Sequence, residues 1–298
     1  MPKNTNIKRL ALAVVLLVFF VDVSSQVRRA FVVGISNYNK SAEVSKSDNE
    51  WGNIHGANDI VLLTPTLKKQ GFKITSLSNK AATANNIRNG LKSFASNCKP
   101  NDIVYIHFSC HGQPVEDLNG DEEDGWDEAI IPIDAYKYYK KGVYEGKKHL
   151  LDDQLNTYVK KLRDKIGPTG ILYVVIDACH AGTSSRANDE TVRGTKVGFT
   201  YHNKVFKPSA NKKSHYKIAP SAKQSHVLYL EACRPDQVNM EIKVADKRYG
   251  PLSYNIAQAL QAKPLSTNAE EFLNGVKASI MKGGHWPNNQ NMVTETSF

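Results

Sequence analysis

Cysteine is scarce in this sequence: Cys98, Cys110, Cys179 and Cys233 are the only four in 298 residues. Their spacing forms no disulfide framework, and a chain of this length buries a core without one, so free thiols are expected. Long apolar runs are scarcer still. The one uncharged stretch without Gly or Pro, residues 10–21, falls short of the ~20 residues a spanning helix needs, which argues against a stable membrane anchor. No cysteine follows that run to carry a lipid. The net charge is +10, yet the basic residues are scattered and lack interleaved aromatics, which excludes a base-stacking nucleic-acid surface. There is no internal repeat and no convincing boundary for a second domain.

The apolar stretch has a different reading. Lys8 and Arg9 precede it and Val23-Ser24-Ser25 follow it, the charged start, apolar middle and small residues of a signal peptide. Residues 1–25 are therefore expected to be removed, leaving 26–298 as one domain that is secreted or periplasmic. With 41% hydrophobic residues over the whole chain, that domain has enough apolar material for a sizeable core.

Continuous apolar runs at 29–35, 103–108, 171–176 and 227–230 suit strands covered on both faces. Helical spacing occupies 58–70, 83–96, 151–165, 254–262 and 269–281. Strands alternating with helices predict an α/β chain with a mostly parallel sheet in three layers, whose ligands bind beyond the carboxyl ends of the strands. Two insertions break the order. Residues 113–128 carry eight acids, Glu116, Asp117, Asp121, Glu122, Glu123, Asp124, Asp127 and Glu128, and read as a loop. Residues 182–224 are polar and Lys-rich and read as a long loop, offering Arg186, Arg193, Lys196 and Lys212 as exposed points for self-cleavage.

Two predicted strands finish in reactive residues: Ser109-Cys110-His111-Gly112 after one, Asp177-Ala178-Cys179-His180 after the other. In a parallel sheet these ends share an edge. A thiol beside an imidazole is what nucleophilic acyl transfer needs, because the imidazole takes the thiol proton and later gives one to the leaving amine. The N–H groups of Gly112 and Cys179 are candidates to hold the oxyanion. A zinc site from Cys110, His111, Cys179 and His180 is disfavoured, since adjacent rather than spaced ligands make one tetrahedron awkward. Asp117, Asn119, Asp121 and Glu128 match EF-hand positions, but Glu122 stands where the turn requires Gly.

The His-Gly and Asp-x-Cys-x-x-Gly segments resemble motifs of the caspase-like cysteine peptidases, and within them of the metacaspases. So do the acidic loop at 120–128 with Ile131-Pro132-Ile133-Asp134, Ile54-His55-Gly56-Ala57-Asn58-Asp59, Ala232-Cys233-Arg234-Pro235-Asp236-Gln237 and Tyr249-Gly250-Pro251-Leu252-Ser253-Tyr254. The resemblance implies a caspase-like three-layer sandwich and a cysteine endopeptidase with Cys179 as nucleophile and His111 as acid/base. Asp59 and Asp177 stand where metacaspases have the acidic pocket that receives Arg or Lys, so the expected partners are peptide or protein substrates with a basic residue before the cut. A monomer without organic cofactor is expected. The family also implies an activating Ca2+ at Asp127, Asp152 and Asp153, with Arg186 where a fourth ligand belongs and Asp189 nearby. Cys110 replaces the usual Gly. The rival reading is a catalytically silent caspase-like module that binds a basic partner.

Overall fold

The chain's apolar runs become the middle of a seven-stranded sheet. The computed structural model describes residues 26–38, 51–179, 191–208 and 212–298; the expected signal peptide lies outside them. In chain order the elements are β1 (Arg28–Gly34), α1 (Gly56–Lys69), β2 (Lys73–Ser78), α2 (Ala84–Asn97), β3 (Ile103–Ser109), β4 (His111–Glu116), β5 (Trp126–Ile131), β6 (Leu150–Leu151), α3 (Asp152–Ile166), β7 (Ile171–Asp177), β8 (His215–Lys217), β9 (His226–Glu231), β10 (Ile242–Val244), β11 (Lys247–Tyr249), α4 (Pro251–Ala262), α5 (Ala269–Gly283) and β12 (Val293–Thr296). The main sheet runs β2-β1-β3-β7-β9-β12-β8. Its first five strands are parallel, and β12 is antiparallel to β9.

Strands β3 and β7 are buried at every position, and alternate residues feed two separate cores, as the two-residue period of a strand requires. Val104, Ile106, Phe108, Leu172 and Val174 pack with Ile87, Leu91 and Phe94 of α2 and with Val159 and Leu162 of α3. Ile103, Tyr105, Ile171 and Val175 pack on the other face with Leu63 and Leu67 of α1, Leu252 and Ile256 of α4, and Phe272 and Val276 of α5. The result is the expected three layers. Thr83 caps α2 by accepting from the Asn86 N–H at 3.2 Å, and Gly284 in the left-handed conformation ends α5.

The acidic insertion is not wholly a loop. Residues 111–116 and 126–131 pair as the antiparallel strands β4 and β5, with β6 alongside. Only the turn between them is irregular, and Asp117 braces it by accepting from the N–H groups of Asn119, Gly120 and Glu122 at 2.7–3.0 Å. The charges hid these strands because six of the eight acids crowd residues 116–124, at the end of β4 and in the turn that follows it. Within the basic segment, His215–Lys217 adds an edge strand, β8, beside β12.

Register aligns the site. Gly34 pairs with Ser109 and Ser109 with Asp177, so β1, β3 and β7 end level. His111 and Cys179 each follow two residues later.

Candidate active site

His111 begins β4, where the chain leaves the main sheet. Its ring is 3% exposed and lies between Trp51 and Tyr38, each with its centroid 4.8 Å away. The Tyr38 hydroxyl accepts from the His111 N–H at 3.0 Å and donates to the Ile131 carbonyl at 2.8 Å. The His111 Nε2 sits 2.9 Å from the Gly52 carbonyl. A carbonyl can only accept, so Nε2 carries the proton and Nδ1 keeps its lone pair. Nδ1 is buried and has no hydrogen-bond partner among the described residues. Burial lowers the ring's pKa to about 4, the Gly52 bond opposing, so at neutral pH it is a neutral base.

Cys179 is fully buried. Its Sγ donates to the Gln237 carbonyl at 2.9 Å, and Cys233 is a close neighbour whose thiol is raised by its hydrogen bond with Cys179 and by burial. All four cysteines are unpaired by disulfides. Cys110 is buried within the core under the site, and burial pushes its thiol up to about 12, which keeps it protonated.

One oxygen joins the two halves of the site. The carbonyl of Arg193 accepts from the Cys179 N–H at 2.9 Å and from the Gly112 N–H at 3.2 Å. These are the two donors expected to hold an oxyanion, and they converge on one point as such a hole requires. Expected to be an exposed point in a basic loop, Arg193 is instead 0% exposed. The side chain fills an acidic pocket, and that burial is possible because three carboxylates receive it. Its Nη1 lies 2.7 Å from Asp59 Oδ2 and 3.6 Å from Asp177 Oδ1, and donates to the Ser109 hydroxyl at 2.6 Å. Its Nε donates to Glu241 Oε1 at 3.0 Å. Nη2 is 2.9 Å from the same oxygen but too poorly aligned to count as a hydrogen bond.

Each carboxylate is held from behind. Asp59 accepts from the Gly250 N–H at 3.1 Å and from the Ser109 hydroxyl. Asp177 sits against the N-terminus of α4, accepting from the Ser253 N–H and hydroxyl at 2.7 and 2.6 Å, and from Asn239 at 2.7 Å. Behind Ser253 stand His107 at 2.9 Å and Tyr105. Glu241 accepts from the His55 N–H at 2.7 Å and meets His55 Nδ1 at 2.5 Å. Burial raises Asp59 to about 7, Arg193 opposing and Asp177 adding to the rise. Burial also pushes Glu241 up, but Arg193 and His55 more than reverse it, leaving that carboxyl below its ordinary range. Three carboxylates in a dry pocket therefore call for a cation.

The backbone around Arg193 is extended and paired. Its N–H donates to the Asn239 carbonyl at 3.0 Å, and the Glu241 N–H donates to the Thr191 carbonyl at 2.8 Å, with Val192 bridging Met240 antiparallel. The next residue is Gly194, where a Cβ would lie 2.1 Å from the Cys179 carbonyl oxygen and 3.0 Å from its Cβ. The chain thus passes directly over the cysteine.

Sequence reasoning placed His111, Gly112, Cys179, Asp59 and Asp177 here, and the structure brings the last four into contact with Arg193, with His111 directly before Gly112 on β4. It missed Glu241, Ser109 and Asn239. Ser109 was within reach, since it precedes Cys110-His111 at a strand end level with Asp177; Glu241 carried no motif.

The residues expected to hold calcium sit elsewhere. Asp127 and Glu128 are neighbours on β5 and face opposite sides of it. Asp127 accordingly groups with Asp117 and Asp121, while Asp152, first in α3, groups with Glu122 and Glu128, each set within 4.8 Å. Asp153 accepts from Asn119 at 3.0 Å. One oxygen each of Asp127 and Asp152 is buried without a hydrogen-bond partner among the described residues, and burial with neighbouring acids raises the two carboxyls to about 7 and about 6. The three residues expected to share one Ca2+ ion are thus not gathered into one set of ligands, although each of the two groups keeps a buried carboxylate oxygen without a partner among the described residues. His180, Arg186 and Asp189 lie outside the described residues.

Comparison with known proteins agrees with this geometry. The family model described as the caspase domain matches residues 27–297. Among curated proteins, Metacaspase-1B of Aspergillus fumigatus is 32% identical over 167 residues, covering 53% of this chain and 36% of the relative. Metacaspase-2 of Arabidopsis thaliana is 34% identical over 167 residues, covering 52% of this chain and 35% of the relative. Metacaspase-1 of Pyricularia oryzae is 24% identical over 299 residues, covering 86% and 69%. The match to the first two takes in about a third of their length. Among solved structures, protein GSU0716 from Geobacter sulfurreducens superposes with a TM-score of 0.57 at 18% identity, covering 91% of this chain and 93% of that one, a likeness of fold. The chain belongs to the caspase-domain family, and metacaspases are among its relatives.

Proposed function

We propose that this chain is a cysteine endopeptidase that cuts peptide bonds after Arg or Lys, including bonds of its own within the basic segment 183–224. The observation that carries the reading is the acidic pocket of Asp59, Asp177 and Glu241 opening beside the paired N–H groups of Gly112 and Cys179, with a guanidinium already in it. Metacaspase relatives support the thiol chemistry. A basic side chain enters the pocket and fixes the register of the peptide, so that the scissile carbonyl oxygen reaches the two N–H groups. His111 Nδ1 takes the thiol proton, and the Gly52 carbonyl holds the imidazolium that forms. Sγ adds to the carbonyl carbon, the protonated amine leaves, and water hydrolyses the thioester. Retention of both thiol and neutral base favours this over a silent binding module.

The same reading includes a Ca2+ ion at one of the two acidic groups, Asp117, Asp121 and Asp127 or Glu122, Glu128 and Asp152, which would supply charge neutralisation to the acidic strands next to the site. It also includes export after loss of residues 1–25, as a monomer. The test is turnover of matched peptides ending in Arg, Lys or Asp, with and without calcium, by wild type and Cys179→Ala. Turnover after Arg and Lys that Cys179→Ala loses is expected. Turnover after Asp instead would overturn the pocket, and turnover that ignores calcium would remove the ion.

A further inference from the structure

Arg193 is seated as a substrate would be. Its guanidinium is among the pocket acids, its carbonyl oxygen is on the Gly112 and Cys179 N–H groups, and its own N–H and the Thr191 carbonyl pair with Asn239 and Glu241 as an added strand. The residue after it passes against Cys179 in a space that accepts only glycine. We infer, on the peptidase reading, that the bond between Arg193 and Gly194 is the chain's own processing site, docked in the active site, and that until it is cut the segment 191–194 shuts out other substrates.

Four positions agree independently: side-chain pocket, oxyanion donors, strand pairing and clearance over the nucleophile. Neither Lys196 nor Lys212 shares them. Lys196 is exposed, and Lys212 lies on the surface paired with Asp236. The cysteine must first turn, because its Sγ points at the Gln237 carbonyl. Rotation about the Cα–Cβ bond releases that contact, and His111 Nδ1 takes the proton. Sγ then bonds to the Arg193 carbonyl carbon, and the oxyanion stays on the two N–H groups already in place. The Arg193–Gly194 C–N bond breaks as His111 returns the proton to the Gly194 nitrogen. Water hydrolyses the thioester, leaving an Arg193 carboxylate, a Gly194 amino terminus and the thiol restored. Every bonded partner belongs to the same chain, so the cut is intramolecular.

The experiment follows the purified full chain over time by N-terminal sequencing and intact mass, at protein concentrations spanning a hundredfold. A fragment beginning at Gly194 is expected, at a rate independent of dilution and absent in Cys179→Ala. Arg193→Gln should lack that fragment and turn over an Arg-ending peptide without the initial lag of wild type. Arg193→Lys keeps a cation among the acids and should be cut at the same bond more slowly, which keeps the inference open to test if Arg193→Gln does not fold. Labelling of Cys179 by an Arg-ending acyloxymethyl ketone should be slow in the uncut chain and at least tenfold faster after the cut. If the wild-type chain turns over peptides while its Arg193–Gly194 bond stays intact, or if uncut wild-type chain is labelled as fast as cut chain, the inference fails and the peptidase reading stands. If no variant, Arg193→Lys included, turns over peptide or is labelled, the peptidase reading itself has failed.

Discussion

An arginine side chain presents Nε, Nη1 and Nη2 in one plane, and the pocket meets different edges of that plane with different acids. Asp59 and Ser109 take Nη1, contacts that the single nitrogen of a lysine can also reach. Glu241 takes Nε, at a depth where lysine has only a methylene. Glu241→Gln should therefore lower kcat/KM for Arg-ending peptides by about 10- to 100-fold, the size of a lost hydrogen bond to a charged group. Lys-ending peptides should suffer less, so that the Arg:Lys ratio falls. Steady-state kinetics on the matched pair checks it; equal losses on both would reduce Glu241 to a brace for His55. This selectivity was not legible in the sequence. Asp59 and Asp177 came from family motifs at strand and helix ends, whereas residues 238–241 are an unpatterned stretch whose position depends on the pairing of Val192 with Met240.

At the scale of elements, the site depends on strands that end level and a helix that starts beside them. The continuous apolar runs made β1, β3, β7 and β9 readable, because a strand covered on both faces has no polar position to interrupt it. Amphipathic spacing likewise fixed the five helices to within a few residues. β4 and β5 were unreadable as strands: six of the segment's eight acids crowd residues 116–124, at the end of β4 and in the turn, and that charge density imitates a loop. The start of α4 has a special requirement. A Cβ on Gly250 would lie 2.2 Å from Asp177 Oδ2 and 2.4 Å from Arg193 Nη1, contacts closer than atoms tolerate. Gly250→Ala should therefore displace the pocket acids and cut turnover of Arg-ending peptides by at least tenfold. The two hydrophobic cores lie below the pocket, so thermal unfolding should shift only slightly. A large fall in Tm with unchanged kinetics in the folded fraction would show that the glycine serves α4 rather than the pocket.

Across the whole molecule, two populations of buried ionisable groups pull stability in opposite directions. His107, His111 and His149 are kept neutral by burial, with pKa values lowered to about 4, 4 and 3. The unfolded chain takes up those protons first as pH falls below the ordinary ~6.5 of histidine, so their contribution is complete above that value and is lost toward pH 4. The carboxylates around a cavity of about 330 Å3 lined by Glu122, Glu128, Asp152, Glu231 and Glu295 behave in the opposite sense. Burial and neighbouring acids raise Glu231 to about 8 and Glu122 to about 7. The folded state holds their protons longer than the unfolded state does, so their contribution is complete at low pH and lost as pH rises toward 8. Below 6.5 the two slopes oppose each other; above it the histidines have finished and only the carboxylates remain. In metal-free buffer, stability should therefore fall steadily between pH 6.5 and 8. Glu231→Gln should flatten that fall, and His107→Gln should leave it unchanged while reducing the loss on the acid side. Denaturant unfolding at pH 5, 6.5 and 8 measures all three, with about 1 kcal/mol appearing as roughly 2–4 °C in Tm for a chain near this size. A wild-type stability that rises between pH 6.5 and 8 would mean that the carboxylates around the cavity are not crowded as their burial implies.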